Sequence, residues 1–342
     1  MQASDYKCPA CSAPLMFNPE SGSWKCEYCA TNYTLEDLEK NEKEYKDLDS
    51  KETIDVDEYT CSSCGAKIVT DENTTATFCV YCGNTSIIKN RLTGMLKPSF
   101  VIPFKTTKEQ AISSFLKFKK GKPFAPKEFA QREQIEKITG VYIPFWLYDA
   151  DAEGEVSGTA AKIRSWRSGD YRYTKTDTYK VSRKGKARFE KVPVDGATKF
   201  DDDIMDSVEP FNYDEIKEFT PAYLSGFLAE KYDVDSKTAY NRAQERVDRA
   251  VNDYLRGDIF GYTTVNLNTV NVSKELKNTE YVLFPVWMLN IKYKDKMNMF
   301  AMNGQTGKMI GNVPVAWFKF FLWFIGLFLG ILFLGTVLIS LG

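Results

Sequence analysis

An α+β fold is what this sequence predicts, and three observations predict it. Between residues 97 and 314, helix-like and strand-like stretches fall in separate blocks, as they do in α+β domains. Near the N-terminus the spacing C-x2-C-x14-C-x2-C is written twice. The last 23 residues, Phe320 to Gly342, carry no charge.

The cysteines come first. They are Cys8, Cys11, Cys26 and Cys29, then Cys61, Cys64, Cys79 and Cys82, each of the second set 53 positions after its counterpart, and no cysteine lies outside the two sets. Zinc takes four soft ligands at tetrahedral corners, and two C-x2-C turns supply them, because each reversal brings both thiolates to one side of the ion. The 14 intervening residues must leave and return, which a β-hairpin does. Leu15–Phe17 and Ser23–Lys25 are its expected strands in the first copy, around a turn at Asn18–Gly22; in the second, Lys67–Thr70 and Thr75–Phe78 flank Asp71–Asn73. Two zinc ribbons follow, over 5–33 and 59–90, each a structural site with no open coordination position. Disulfides suit a secreted chain, and the start, MQASDYKCP, reads as no secretory signal. An iron tetrathiolate uses similar turns but set much further apart. A thiol-redox motif sits at a helix start in a βαβ unit, which neither copy resembles. Each zinc site supplies on the order of 10 kcal/mol of folding energy, enough to hold a unit that lacks its own core.

Residues 34–58 carry eleven acidic and four basic residues and read as a solvated linker, helical at its start with Thr34 as cap and an extended tether at its end. In the α+β domain, 97–314, Thr106–Lys119 and Pro126–Ile138 read as helices. Val141–Tyr148 (VYIPFWLY) opens a strand-rich stretch to Val194, with turn signals at 168–170 (SGD) and 183–186 (RKGK). Asp201–Phe219 and Pro221–Lys231 read as helix again. In Ser236–Arg256 the residues Tyr240, Ala243, Val247, Val251 and Tyr254 fall at helical spacing, with Gly257 as the stop. Strands resume from Tyr262 to Pro314. The stretch YVLFPVWML (281–289) looks like VYIPFWLY, each with a Pro followed two residues later by Trp. An internal duplication and two strands ending on one core both account for that.

The C-terminal stretch, 317–342, is expected to be a transmembrane tail anchor. A helix of 23 residues spans about 34 Å, against a hydrocarbon core of about 30 Å. Lys319, with Trp317 and Trp323 as interfacial aromatics, favours a single pass at the cell membrane with the soluble part on the cytoplasmic side. Gly326 and Gly330 form a G-x-x-x-G step suited to helix–helix self-association.

Composition excludes much chemistry. There is no histidine, which removes mixed Cys–His zinc sites, Ser-His-Asp and Cys-His nucleophiles and His bases. The formal net charge of −1 asks for no polyanion. NGQTGKM (303–309) fails the P-loop pattern at Met302 and at Met309, and its flanks read as strands around a β-turn. Asp201, Asp202 and Asp203 precede a helical stretch, where carboxylates cap amides. No catalytic constellation emerges, and no enzyme is expected.

One surface stands out. Lys162–Lys191 holds eleven basic residues against three acids, with Trp166, Tyr171, Tyr173 and Tyr179 interleaved. Lys162, Arg164, Arg167, Arg172, Lys175, Arg183, Lys184 and Lys186 are its candidate contacts to phosphate, in nucleic acid or in lipid headgroups. The competing role is internal pairing with Asp195–Glu218, which carries nine acids and two lysines.

The paired CxxC units, together with GVYIPFWLYDA (140–150), EPFNYDEIKEFTPAYLSGFLAEKYDVD (209–235), LFPVWMLN (283–290) and FAMNGQTGKMIG (300–311), resemble the bacterial membrane proteins described as TFIIB-type zinc-ribbon-containing proteins. Some of these are labelled primosomal (PriA-like) replication helicases. The resemblance covers nearly the whole chain and implies zinc ligation by the eight cysteines. It brings no established activity, and the helicase label does not transfer, because the chain lacks a P-loop and a DExx-type motif. The expected function is that of a membrane-anchored cytoplasmic zinc-ribbon adaptor that recruits a macromolecular partner, a protein above all. The alternative is a nucleic-acid-binding protein, associated with replication or transcription, using the ribbons and the basic strands of 162–191.

Overall fold

The computed structural model describes residues 7–42, 53–70, 79–82, 87–126, 129, 131–199, 202–294 and 296–341. The first cysteine unit is a small antiparallel sheet of β1 (Leu15–Asn18), β2 (Ser23–Cys26) and β3 (Asn32–Tyr33), followed by helix α1 (Leu35–Glu42). Its hairpin has the expected register, Leu15 opposite Cys26 and Asn18 opposite Ser23, and turns at Gly22, whose φ of 62° favours glycine.

An eleven-stranded sheet makes the rest. Its first members are β4 (Thr53–Cys61), β5 (Lys67–Thr70), β6 (Ile87–Leu96) and β7 (Phe100–Val101). Helix α2 (Lys108–Lys120) begins with a capping box between Thr107 and Gln110. Within Pro126–Ile138 the described residues form only the short helix α3 (Arg132–Ile135). Then come β8 (Thr139–Ser168) and β9 (Tyr171–Asp195), helix α4 (Asp202–Val208), β10 (Lys217–Glu218), β11 (Leu228–Glu230), helix α5 (Ser236–Gly257), β12 (Thr264–Tyr293), β13 (Lys296–Asn303), β14 (Met309–Gly311) and helix α6 (Trp317–Leu341).

The spine is the antiparallel trio β9-β8-β12. At its base both faces are buried: Tyr142, Trp146 and Tyr148 belong to one core cluster, while Val141, Ile143, Phe145 and Leu147 belong to the other. The two similar stretches are cross-strand neighbours, with Phe145 opposite Val282 and its ring stacked 4.4 Å from Phe284. Their prolines sit at gaps in the ladder. Pro144 lies where the edge partner of β8 changes from β11, which pairs Val141 and Tyr142, to β9, which pairs Phe145 onward. Pro285 lies where the partner of β12 changes from β7 to β13. A missing N–H costs little there, and the carbonyls of both prolines accept amides, from Gly196 and Gly304.

Several sequence expectations are corrected. The RKGK segment is continuous strand, not a turn. Gly185 lies opposite Gly154, and both glycines make room for α5: a Cβ on Gly154 would fall 2.3 Å from Val251, and one on Gly185 would lie 3.1 Å from Leu255. The helix expected over Asp201–Phe219 ends at Val208, before Pro210, and gives way to a short 3-10 turn and β10. Pro221–Lys231 forms one 3-10 turn, Pro221–Leu224, then extends into β11 after Gly226, at φ 85°. Residues 53–58, expected as tether, are strand. The turn at 168–170, the helix at 236–256 and the β-turn between β13 and β14 stand as expected. In α5 the buried stripe is Ala239, Ala243, Val247, Val251 and Leu255, capped by Asp235. Thr75–Phe78, the whole Asp71–Asn73 turn with them, and Asp201 lie outside the described residues.

Candidate metal centres

Each cysteine set closes into one cluster. In both, the four Sγ atoms lie within 4.8 Å of one another. Cys8 and Cys29 are 3.5 Å apart, as are Cys11 and Cys26; Cys61–Cys82 and Cys64–Cys79 are both 3.6 Å. A disulfide is about 2.05 Å, and thiolates about 2.3 Å from a tetrahedral ion stand roughly 3.8 Å apart. The spacing fits a shared metal ion. It does not fit disulfide pairs, and the eight cysteines are free.

The turns repeat as closely as the sequence does. Cys8 donates its amide to Ala13 and accepts from Ser12; 53 positions on, Cys61 donates to Ala66 and accepts from Gly65. Ser12 (φ 59°) and Gly65 (φ 70°) both take the left-handed conformation that points the first two thiols of each set the same way. Burial pushes the Cys8 thiol up, but the Tyr33 hydroxyl, 3.2 Å from Sγ, and the amides of Ala10 and Cys11 outweigh it and bring it down to about 6. Burial likewise raises Cys61, and the amides of Cys64 and Ser63 bring it to about 7. Cys11 goes the other way: the Ala13 amide lowers it, but burial and the other three thiols push it up to about 12. Burial lifts Cys79 as well. Each cluster thus holds one thiol that ionises readily, Cys8 or Cys61, beside one that burial keeps protonated, Cys11 or Cys79, a difference that a shared dication removes.

Neither unit swings free. Trp24, 1% exposed, donates its indole N–H to the carbonyl of Ala222 at 2.9 Å, and Phe17 and Trp24 pack on Tyr223. The second unit is part of the large sheet: β5 pairs β11, with Val69 opposite Ala229 and Ile68 opposite Glu230. Its second cysteine turn is pinned by Asn290, which donates to the carbonyls of Val80 and Tyr81, and by the Tyr81 hydroxyl on Glu230. Lys199 donates to the carbonyl of Cys64 at 2.8 Å. Both units therefore rest on one strip, residues 222–230. Sequence reasoning missed Trp24, Tyr33, Glu230 and Asn290; of these only Tyr33, beside a cysteine turn and β-prone, carried any local signal.

The basic strands are sorted by the structure. Arg183 pairs with Asp258 at 2.9 Å, Lys184 and Lys186 with Glu153, and Lys175 with Asp177. Lys162 lies over the rings of Tyr179 and Tyr262. Arg164, Arg167 and Arg172 meet no acid among the described residues, and Arg167 stands directly opposite Arg172, as Arg164 does opposite Lys175. Trp166 stacks on Tyr173 at 5.7 Å, with both about half exposed. Among the described residues, the ion pairs found for the acids of 195–218 are made elsewhere. Asp195, Asp202, Asp206 and Glu209 gather around Arg242 and Arg246 of α5 instead.

Helix α6 is long and apolar enough to cross a membrane, with mean hydropathy 2.2 over Trp317–Thr336 and none of that window buried. Its start is docked: Ala316 donates to Phe124, Lys319 to Ala125, and Phe124 packs on Phe320 and Trp323. Lys319 is thus a structural contact as well as a charge at the helix edge.

Fold and centres define an α+β protein with two metal-competent four-cysteine clusters and one apolar C-terminal helix. Over 338 residues the chain is 37% identical to the uncharacterized protein YdjG of Bacillus subtilis (strain 168), covering 98% of this chain and 97% of that protein. The chain belongs to the family of that protein. No family model matches it, and no solved structure matches it. The resemblance to zinc-ribbon membrane proteins rests on the residues quoted for it.

Proposed function

We propose that this chain is a membrane-held zinc-ribbon adaptor, with α6 as a single-pass anchor, the remainder cytoplasmic, and no substrate turned over. Zn2+ is the ion that four closed thiolates suit, and such a site holds shape while leaving no position for chemistry. The observation that carries the reading is that both clusters are docked on residues 222–230, while the outer turn of the first presents Tyr28, 84% exposed, to the outside. A rigid, metal-held plate with an outward aromatic suits protein recruitment. The test is a photo-crosslinking amino acid placed at Tyr28 of the full chain in its native membrane. A discrete protein adduct that disappears in a Cys8→Ser background supports the adaptor; adducts to lipid alone, or none, remove it.

A second reading keeps nucleic acid as the partner. It is favoured by Arg164, Arg167 and Arg172, which meet no acid among the described residues, beside exposed Trp166, Tyr171 and Tyr173. Anisotropy of labelled single strands with the full chain at about 50 and 200 mM salt decides it, since phosphate-dominated binding falls by orders of magnitude over that range. No binding at the lower salt removes this reading.

A further inference from the structure

The start of α6, the β12–β13 turn and Pro126 enclose a cavity of about 600 Å³. Its lining holds Lys294, Lys296 and Lys319, and beside them Tyr293, Trp317 and Phe318. No described residue of the lining is an acid. Lys294 stands over the Tyr293 ring at 5.5 Å, and Lys296 is exposed with no ion pair among the described residues. Lys319 gives one N–H to Ala125 and keeps two. Trp317 and Phe318 are 67% and 76% exposed on the first turn of the apolar helix. This is a hollow with a largely apolar wall, three lysines and an aromatic rim, placed where the apolar helix leaves the protein.

We propose that the hollow binds the phosphate of an anionic phospholipid headgroup, held by Lys294, Lys296 and Lys319 with Trp317 against the upper acyl region. The proposal rests on the reading of α6 as a span and adds the lipid class it selects. It also moves the lipid contact. Arg164, Arg167 and Arg172 lie beyond the Thr264 end of β12, since Thr264 pairs Ala161, while the cavity lies at the Tyr293 end. About 90 Å of strand separates them. The lysines stand at the mouth of the helix, and the arginines of the hairpin tip stand at the other end of the strand.

The full chain is reconstituted into vesicles of phosphatidylcholine mixed with phosphatidylglycerol, floated, extracted in detergent, and its retained lipids are quantified. The expected result is several-fold enrichment of phosphatidylglycerol over the vesicle ratio. A Lys294→Gln/Lys296→Gln chain should lose it, by about fivefold per lysine. An Arg164→Gln/Arg167→Gln chain, altered at the far tip, should keep it. Both variants change exposed side chains, and equal flotation shows that they fold and insert. Failure of every chain to float overturns the span, and the site with it. Flotation with retained lipid at the vesicle ratio, or enrichment that survives the lysine substitutions, overturns the headgroup site and leaves the span standing. Displacement of the retained lipid by inorganic phosphate would make the ligand free phosphate and overturn the lipid assignment.

Discussion

The indole nitrogen of Trp24 and the carbonyl oxygen of Ala222, 198 positions apart in sequence, are joined by a 2.9 Å hydrogen bond. The bond fixes the first cysteine unit to the strip that also carries the second. Trp24→Ala should cost about 3–5 kcal/mol of the docking, and Trp24→Phe about 1 kcal/mol. The check is limited proteolysis between residues 34 and 58: the alanine chain is cleaved there much faster, with the large sheet intact.

The two centres should differ in reach. Metal analysis of the purified chain is expected to give two zinc ions, and one in either Cys8→Ser or Cys61→Ser. Thermal unfolding separates the two variants. Cys8 closes a small sheet that is docked from outside, whereas Cys61 ends β4, a member of the eleven-stranded sheet. Cys61→Ser should lower the main transition by many degrees, and Cys8→Ser should add a separate low-temperature step.

Burial raises the Glu230 carboxyl to about 8 from its ordinary 4.5, although the Tyr81 hydroxyl bond pulls it down. The folded chain therefore holds a proton there that the unfolded chain releases. Between pH 4.5 and 8 the native state binds more protons than the unfolded one, so this group costs stability progressively as pH rises, and the cost levels off above about 8. Glu230→Gln should flatten that decline in denaturant melts and be more stable than the parent at pH 8. A parallel decline in both chains would remove the assignment.

Arg167 opposite Arg172 is a like-charge cross-strand pair, unfavourable by a few tenths to about 1 kcal/mol. Arg172→Glu should slow amide exchange at the hairpin tip. If the tip also grips a polyanion, the same change should weaken that grip.

Where a pattern is local, it was legible in the sequence. The cysteine spacing gave both clusters and the first hairpin, and the 236–256 periodicity gave α5 almost to the residue. What failed was set by distant contacts. Gly185 reads as a turn until α5 lies on it, and Pro221 as a helix start until β8 and β5 take up residues 228–230 between them. The acids of 195–218 were matched to the nearest basic stretch in sequence, whereas their partners, Arg242 and Arg246, arrive on a helix that folds back over them. Trp24 offered no sign of what it would dock on. Asn290 sits in ordinary strand sequence and Glu230 in a stretch that reads as helix, and only the assembled sheet, with β5 paired to β11, brings both to a cysteine turn.

The 30-residue run of β12, bulged at Leu267/Thr269 and Leu276/Asn278, sets two charged surfaces far apart along one strand. One end meets the start of α6 and the other carries the arginines of the hairpin, with about 90 Å of strand between. Salt at physiological strength screens charge within about 8 Å. Measured along the strand, the arginines of the tip and the lysines beside α6 therefore lie many screening lengths apart. The two ends of the strand are thus electrostatically independent, and a charge change at one leaves the field at the other unaltered.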